Sequence, residues 1–270
     1  MSEERSISLS KGPITTRTIS RDLRALGVGE GQIVLVHSSL SRMGWVCGGA
    51  VALIQALQEV LTPSGTLIMP SHTSGLSEPS HWQEPPVPEE WWEVIREEMP
   101  PFDPRCTPTR GIGLVPELFR TYPDVLRSGH PQVSFAAWGA EAAAITRGHA
   151  LADGLGEGSP LARIHERDGH VLLIGASHDS NTSLHLAEHR AHWPSKTYST
   201  QGAPVLEGGG RVWKQFESLT ISSDDFEAAG TAFDATGAVQ RGFVGNAASR
   251  FMRQRALVDF GVNWFAINRT

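Results

Sequence analysis

Five of the eleven histidines fall in one stretch, HVLLIGASHDSNTSLHLAEHRAH, residues 170–192. Imidazole is the side chain that takes up and releases protons near neutral pH, so this stretch is where chemistry is expected. The apolar run Val171–Ile174 reads as a buried strand, His178–Thr182 as a polar turn, and the residues after it as an amphipathic helix. On a helix, His185, Glu188 and His189 share one face, because residues three and four apart are neighbours. Two chemistries fit. His185-Leu-Ala-Glu188-His189 spells H-x-x-E-H, a spacing that binds zinc through both histidines with the glutamate as base. A zinc site needs a third protein ligand, and no acidic helix downstream stands out as its source. Alternatively, His185 is a general base for an amine at a strand end, oriented by a carboxylate.

Other segments supply possible partners. His37-Ser38-Ser39 follows the apolar strand Gln32–Val36, and strand ends of this kind hold ligands in open α/β sheets. Arg127-Ser128-Gly129-His130-Pro131 gathers a cation, a hydroxyl and an imidazole in one turn, a combination suited to a phosphate or pantetheine contact. Ser159-Pro160 starts a helix after the loop that carries Asp153 and Glu157. Residues 71–116 hold nine of the 17 prolines together with Trp82, Trp91, Trp92 and Phe102. Such aromatic content argues for an ordered, functional segment rather than a linker. Its acids, among them Glu78, Glu84, Glu93 and Asp103, form either a solvated rim or an anionic wall for a cationic substrate.

The elements that must position these residues read as α/β. A helix over Thr18–Leu26 ends at Gly27. The strand Gln32–Val36, the helix Ala50–Leu61 and the strand Thr66–Pro70 make a βαβ unit, which favours a parallel pair. Helices are expected over Gly113–Arg120, Ala140–Arg147 and Val244–Arg255, a hairpin over Val205–Phe216 with Gly208–Gly210 at its turn, and a closing strand over Val262–Asn268. Residues 1–17 read as an arm and residues 18–270 as a single domain. With 270 residues the chain can bury a sizeable core. The net charge of -6 and only three lysines argue against a nucleic-acid partner. No apolar run suits a membrane span and no signal peptide is visible. Cys47 and Cys106 read as reduced thiols, which fits the cytoplasm.

Taken in order, IVLVHSSLSRMG (33–44), GTLIMPS (65–71), FDPRCTPTRGIG (102–113), RSGHPQVSFAAWG (127–139), GSPLARIHERDGHVLLIGASHDSNTSLHLAE (158–188) and GFVGNAASRFMR (242–253) resemble the aminoglycoside 3-N-acetyltransferase (antibiotic N-acetyltransferase) family, from about residue 17 to 265. The resemblance implies a mixed, mostly parallel sheet flanked by helices, in a fold unlike the Gcn5 type. It implies transfer of an acetyl group from acetyl-coenzyme A to the 3-amino group of a 2-deoxystreptamine ring, without a metal, which confers antibiotic resistance. The family's N-T-x-L-H-x-A-E motif falls on Asn181, Thr182 and His185. It makes His185 the general base, with Thr182 near the thioester and Glu217, after Trp213, the nearest match for its acid partner. By the same likeness His37, Ser38, Ser39, His130, Ser134 and Thr182 line the coenzyme side, and Asp153, Glu157 and Glu217 lie near the aminoglycoside. Three rivals stay open: the same donor with another amine or polyamine as acceptor, a zinc peptidase, and a non-catalytic coenzyme-binding module. A homodimer is also left open.

Overall fold

A computed structural model of the chain describes Glu4, Ile7, Ser8, Ser10 and residues 12–270. Part of the expected arm, seven of its 17 residues, therefore lies outside the described residues. Its end belongs to the domain: Ile14 is buried and bridges Val46, and Thr15 caps the helix Thr16–Ala25 through a reciprocal pair with Thr18.

The strands are β1 (Ile33–Ser38), β2 (Thr66–Pro70), β3 (Leu126–Arg127), β4 (Phe135–Gly139), β5 (His170–Ile174), β6 (Tyr198–Glu207), β7 (Gly210–Leu219), β8 (Gln240–Val244) and β9 (Ala247–Arg253). Seven of them form one mixed sheet in the order β3-β4-β2-β1-β5-β9-β8. The parallel character is confined to its centre, where β1 pairs with β2 and β5; the other four pairings are antiparallel. β1 and β5 are buried on both faces, which is why they read as near-continuous apolar runs.

Alternate residues of those strands feed two cores. Val34, Val36, Leu172 and Ile174 pack with the helices Thr16–Ala25, Gly49–Leu61 and Leu114–Phe119. Leu35, Val171 and Leu173 pack with residues of Pro160–Glu166, Ser183–Arg190, Phe226–Asp234 and Gln254–Asn268. The period of two along each strand divides the chain's apolar residues between these layers.

The C-terminal expectations are reversed. Residues 244–255, expected as a helix, are mostly β9, whose Ala247, Ser249 and Phe251 are buried on alternate positions. Residues 262–268, expected as a strand, continue the helix Gln254–Asn268, which buries Leu257, Val258, Gly261 and Phe265 at helical spacing. The β-favouring residues of that stretch yield to tertiary packing. The expected hairpin is longer than read, β6 and β7, and turns at Gly208 and Gly209, both with positive φ. Residues 71–116 are ordered against it: Phe102 N–H donates to Pro204 O (3.1 Å) and Arg211 Nε to Met99 O (2.7 Å).

Candidate active site

The C-terminal ends of β1, β2 and β5 open into a cleft of about 470 Å³. His37, Ser38 and Ser39 reach it from β1, Pro70 and His72 from β2, and Ser177, Asp179, Ser180, Thr182 and His185 from the turn and helix after β5. Gly175, which follows β5, has φ +61, and a Cβ there would stand 2.9 Å from Arg42 Cβ. Glycine lets the chain leave the sheet at this point and pass under the cleft rim.

The turn His178–Ser180 is fixed from inside. His178 is fully buried; its Nε2–H donates to Asp234 Oδ1 (3.3 Å), and its Nδ1 accepts from the Asn181 amide (3.3 Å). Asn181 Oδ1 in turn accepts from Ser183 N–H (3.3 Å). Both His178 nitrogens are thus consumed in holding the turn, and Gly230 leaves room for its ring, since a Cβ there would overlap it.

His185 follows in the first turn of the helix Ser183–Arg190. Its Nδ1 lies 2.7 Å from Glu188 Oε2. An ionised carboxylate only accepts, so Nδ1 carries the proton and Nε2 the lone pair. Glu188 is fully buried, and its Oε1 accepts from Ser222 N–H (2.9 Å) and Arg269 Nη1 (2.6 Å). Burial pushes this carboxyl upward, but the bonds from His185, Ser222 and Arg269 outweigh it and hold it below the ordinary range. With Nδ1 turned to the interior, Nε2 faces the cleft, where it has no hydrogen-bond partner among the described residues. Phe226 packs on the ring at 4.7 Å between centroids.

Thr182 Oγ1 lies 3.3 Å from His37 Nε2 at the cleft floor. Burial pushes His37 down to about 4. Burial, with help from neighbouring His185 and His37, pushes His72 to about 3, so both rings are neutral at physiological pH. His72 Nε2 is buried without a partner.

Of the expected residues, His37, Ser38, Ser39, Thr182 and His185 come together in the cleft. Glu217 does not: it is exposed on β7 and bonds Thr200, so the acid on His185 is Glu188. The i,i+3 spacing of His185 and Glu188 is the signal that could have found it. His130 and Ser134 are also absent from the cleft lining. His130 Nδ1 accepts from Gln132 N–H (3.1 Å) and Val133 N–H (3.2 Å) while Nε2–H donates to Leu151 O (3.2 Å); Ser134 Oγ donates to Ser71 O (2.7 Å). Arg127 is spent on Ser71 O (2.6 Å) and Ser134 Oγ (3.0 Å), so this turn braces the fold and offers no phosphate site. Asp153 pairs with His189 (3.1 Å) and Glu157 with Arg190 (2.6 Å), beside the later part of the histidine helix. Glu78 and Asp103 are taken by Arg96 (3.1 Å, Nε) and Arg105 (2.9 Å), which leaves the anionic wall to exposed acids such as Glu84 and Glu93.

The H-x-x-E-H reading does not fit this geometry. Zinc chemistry there needs both imidazoles on one ion and the glutamate facing its water. Here Glu188 is buried on His185 Nδ1, and His189 turns to Asp153. Among the described residues no group of three His, Cys, Asp or Glu is placed to hold a metal ion.

Comparison with known proteins shows the family. The sequence profile described as aminoglycoside 3-N-acetyltransferase matches residues 35–266. The SPbeta prophage-derived aminoglycoside N(3')-acetyltransferase-like protein YokD of Bacillus subtilis (strain 168) is 49% identical over 95% of this chain and 94% of its own. Its crystal structure superposes with a TM-score of 0.96 at 47% identity, covering 98% of each chain. Aminoglycoside N(3)-acetyltransferase VII of Streptomyces paromomycinus is 38% identical over 98% of this chain and 96% of its own. Two further structures are similar: AAC-IIIb in a binary complex with CoASH (TM-score 0.84, 35% identity, 94% of this chain and 97% of that one) and AAC-VIa bound to sisomicin (0.85, 32%, 94% and 98%). With a matched profile across most of its length, this chain belongs to the aminoglycoside 3-N-acetyltransferase family of acyltransferases.

Proposed function

We propose that the protein transfers an acetyl group from acetyl-coenzyme A to the 3-amino group of the 2-deoxystreptamine ring of aminoglycosides, with His185 as general base. The observation that carries this reading is the His185–Glu188 pair, whose Nε2 faces a cleft at the sheet's C-terminal edge.

His185 takes a proton from the acceptor's ammonium through the Nε2 lone pair, and Glu188 stabilises the imidazolium that results. The freed amine adds to the thioester carbonyl. The tetrahedral species then loses its extra N–H proton to solvent and collapses; the C–S bond breaks, and the leaving thiolate takes up the proton held by the His185 imidazolium, so the coenzyme departs as its thiol. Holding both substrates together supplies much of the rate by proximity. Neither Cys47 nor Cys106 lines the cleft, and we take the transfer as direct, without an acetyl-enzyme.

The residues fit the donor. Ser38, Ser39 and Ser177 offer hydroxyls for the pantetheine amides, and Arg42, which makes no ion pair among the described residues, offers a cation for phosphate. Support also comes from the similar proteins bound to CoASH and to sisomicin. Thr182, at the cleft floor beside His37, is placed for the thioester oxygen or leaving thiolate. The acceptor's remaining ammonium groups we assign, following the resemblance, to Asp153 and Glu157, which stand outside the cleft lining and would exchange their His189 and Arg190 partners for the substrate. Asp153 bonds His189, which stands about 6 Å along the helix from His185.

The test is thiol release from acetyl-coenzyme A with a panel of 2-deoxystreptamine aminoglycosides, followed by NMR location of the new acetyl group. The proposal requires turnover and acetylation at the 3-amino position. Acetylation at another nitrogen, or no turnover on the panel, contradicts it and moves the acceptor to a different amine.

A further inference from the structure

The family profile ends at residue 266, yet the residue that completes the site stands beyond it. The helix Gln254–Asn268 delivers Arg269 against the back of the His185–Glu188 pair. Arg269 Nη1 donates to Glu188 Oε1 at 2.6 Å, while Nε and Nη2 grip Asp225 at 2.8 and 2.6 Å. Nη2 also donates to Ser222 O at 2.9 Å, and Ser222 N–H bonds the same Glu188 oxygen. The guanidinium lies 4.2 Å from the Phe265 ring centroid and 5.0 Å from that of Trp193. Its side chain is 13% exposed, that of Glu188 0%. Three donors on two oxygens leave the carboxylate one orientation.

A buried carboxylate is costly unless it is compensated by charge and hydrogen bonds. We propose that Arg269 is a positioning residue for acyl transfer: it keeps Glu188 ionised and in one orientation, and so keeps the lone pair of His185 on Nε2. The proposal rests on the reading of His185 as the base.

Five other groups face the pair. Asp225 partly neutralises Arg269. Lys196 Nζ caps the helix end on Glu188 O (3.1 Å), His189 O (2.7 Å) and Ala191 O (2.8 Å). His72 and His37, buried and neutral, and Asp179 line the cleft side. Removing a cation beside a titrating pair raises its proton affinity, and removing an anion lowers it. Loss of Arg269 and loss of Asp225 therefore displace the titration of the pair in opposite directions. A purely structural clamp would weaken the fold in both variants with no opposed displacement.

The experiment is an NMR titration of the His185 ring in the full chain without substrates, assigned with His185→Gln, for wild type, Arg269→Met, Arg269→Lys and Asp225→Asn. The midpoint is expected to rise by roughly half to one pH unit in Arg269→Met and to fall by about half a unit in Asp225→Asn. In Arg269→Lys, which keeps the charge, it is expected to stay within about 0.2 unit. Turnover of Arg269→Met should fall about tenfold with the KM for acetyl-coenzyme A little changed. Coincident midpoints in the folded variants overturn the proposal. If Arg269→Met does not fold, an Asp225→Asn midpoint at or above wild type overturns it equally. Coincident midpoints in an active enzyme sink this inference alone, whereas absence of turnover on every aminoglycoside sinks the proposed function and leaves the titration to decide here.

Discussion

His178 and His185 stand on the same strand–turn–helix segment, and each holds a carboxylate: Asp234 at 3.3 Å and Glu188 at 2.7 Å. They differ in the second nitrogen. That of His178 is bound by Asn181 in a fully buried site, whereas that of His185 faces the cleft. A histidine–acid pair is thus a building element in one place and, in the function proposed above, a proton acceptor in the other. The unspent lone pair beside a substrate-sized space marks the difference.

Exchanging each acid for its amide breaks this comparison open. Glu188→Gln presents an amide N–H to His185 Nδ1 and so drives the proton to Nε2, removing the lone pair. We expect kcat to fall by about 10²–10⁴-fold with KM nearly unchanged, read by thiol release. Asp234→Asn should leave kcat within about threefold. Its melting temperature should drop, because the buried His178 and the Arg250 that bonds Asp234 at 2.9 Å lose their anion, at a cost of about 1–3 kcal/mol. A large rate loss in Asp234→Asn would erase the distinction.

The pH dependence of stability sharpens it. Burial pushes His37 and His130 down to about 4 and His72 and His149 to about 3, whereas unfolded histidines titrate near 6.5. Between those values the unfolded chain binds more protons than the folded one, so stability rises with pH there. The contribution is fully present above about pH 6.5 and is lost as pH falls toward 4, at up to about 1.4 kcal/mol per pH unit for each ring. Urea unfolding at several pH values should show this slope, reduced by one proton in His149→Gln. His149 is the cleanest choice because it lies outside the cleft and bonds Ser128 Oγ (2.9 Å) and Gly154 O (2.6 Å).

Thr182→Val tests the cleft floor and should lower kcat about tenfold or less, as loss of one hydrogen bond would. The smallest effect is expected at Glu217. It is exposed on the hairpin with Thr200 as its partner, so Glu217→Gln should leave kcat and KM within twofold, about 0.4 kcal/mol.

Much of this was readable in the chain because the period-two burial of β1 and β5 and the helix face of His185 are local patterns. The sheet centre, the βαβ unit, the hairpin and the histidine helix all stand where periodicity put them. What was not readable depends on contacts between distant segments. Glu217 matched a loosely aligned motif; Glu188 was within reach of its i,i+3 spacing to His185, but its fixed orientation comes from Arg269, 81 positions further along. His130 and Ser134 looked like ligand residues because a polar turn carries no mark of burial. The stretch 244–268 inverted strand and helix because Phe265 and Leu257 are fixed by a helical core that only the folded sheet provides.

The measurement that bears most directly on the central claim is acetyl-coenzyme A turnover with sisomicin by wild type and by His185→Gln, alongside His178→Gln. The account predicts loss of about 10²–10⁴-fold in the first variant at unchanged thermal stability, and near wild-type turnover per folded molecule in the second. Turnover that survives His185→Gln would contradict it, whatever the effect at His178.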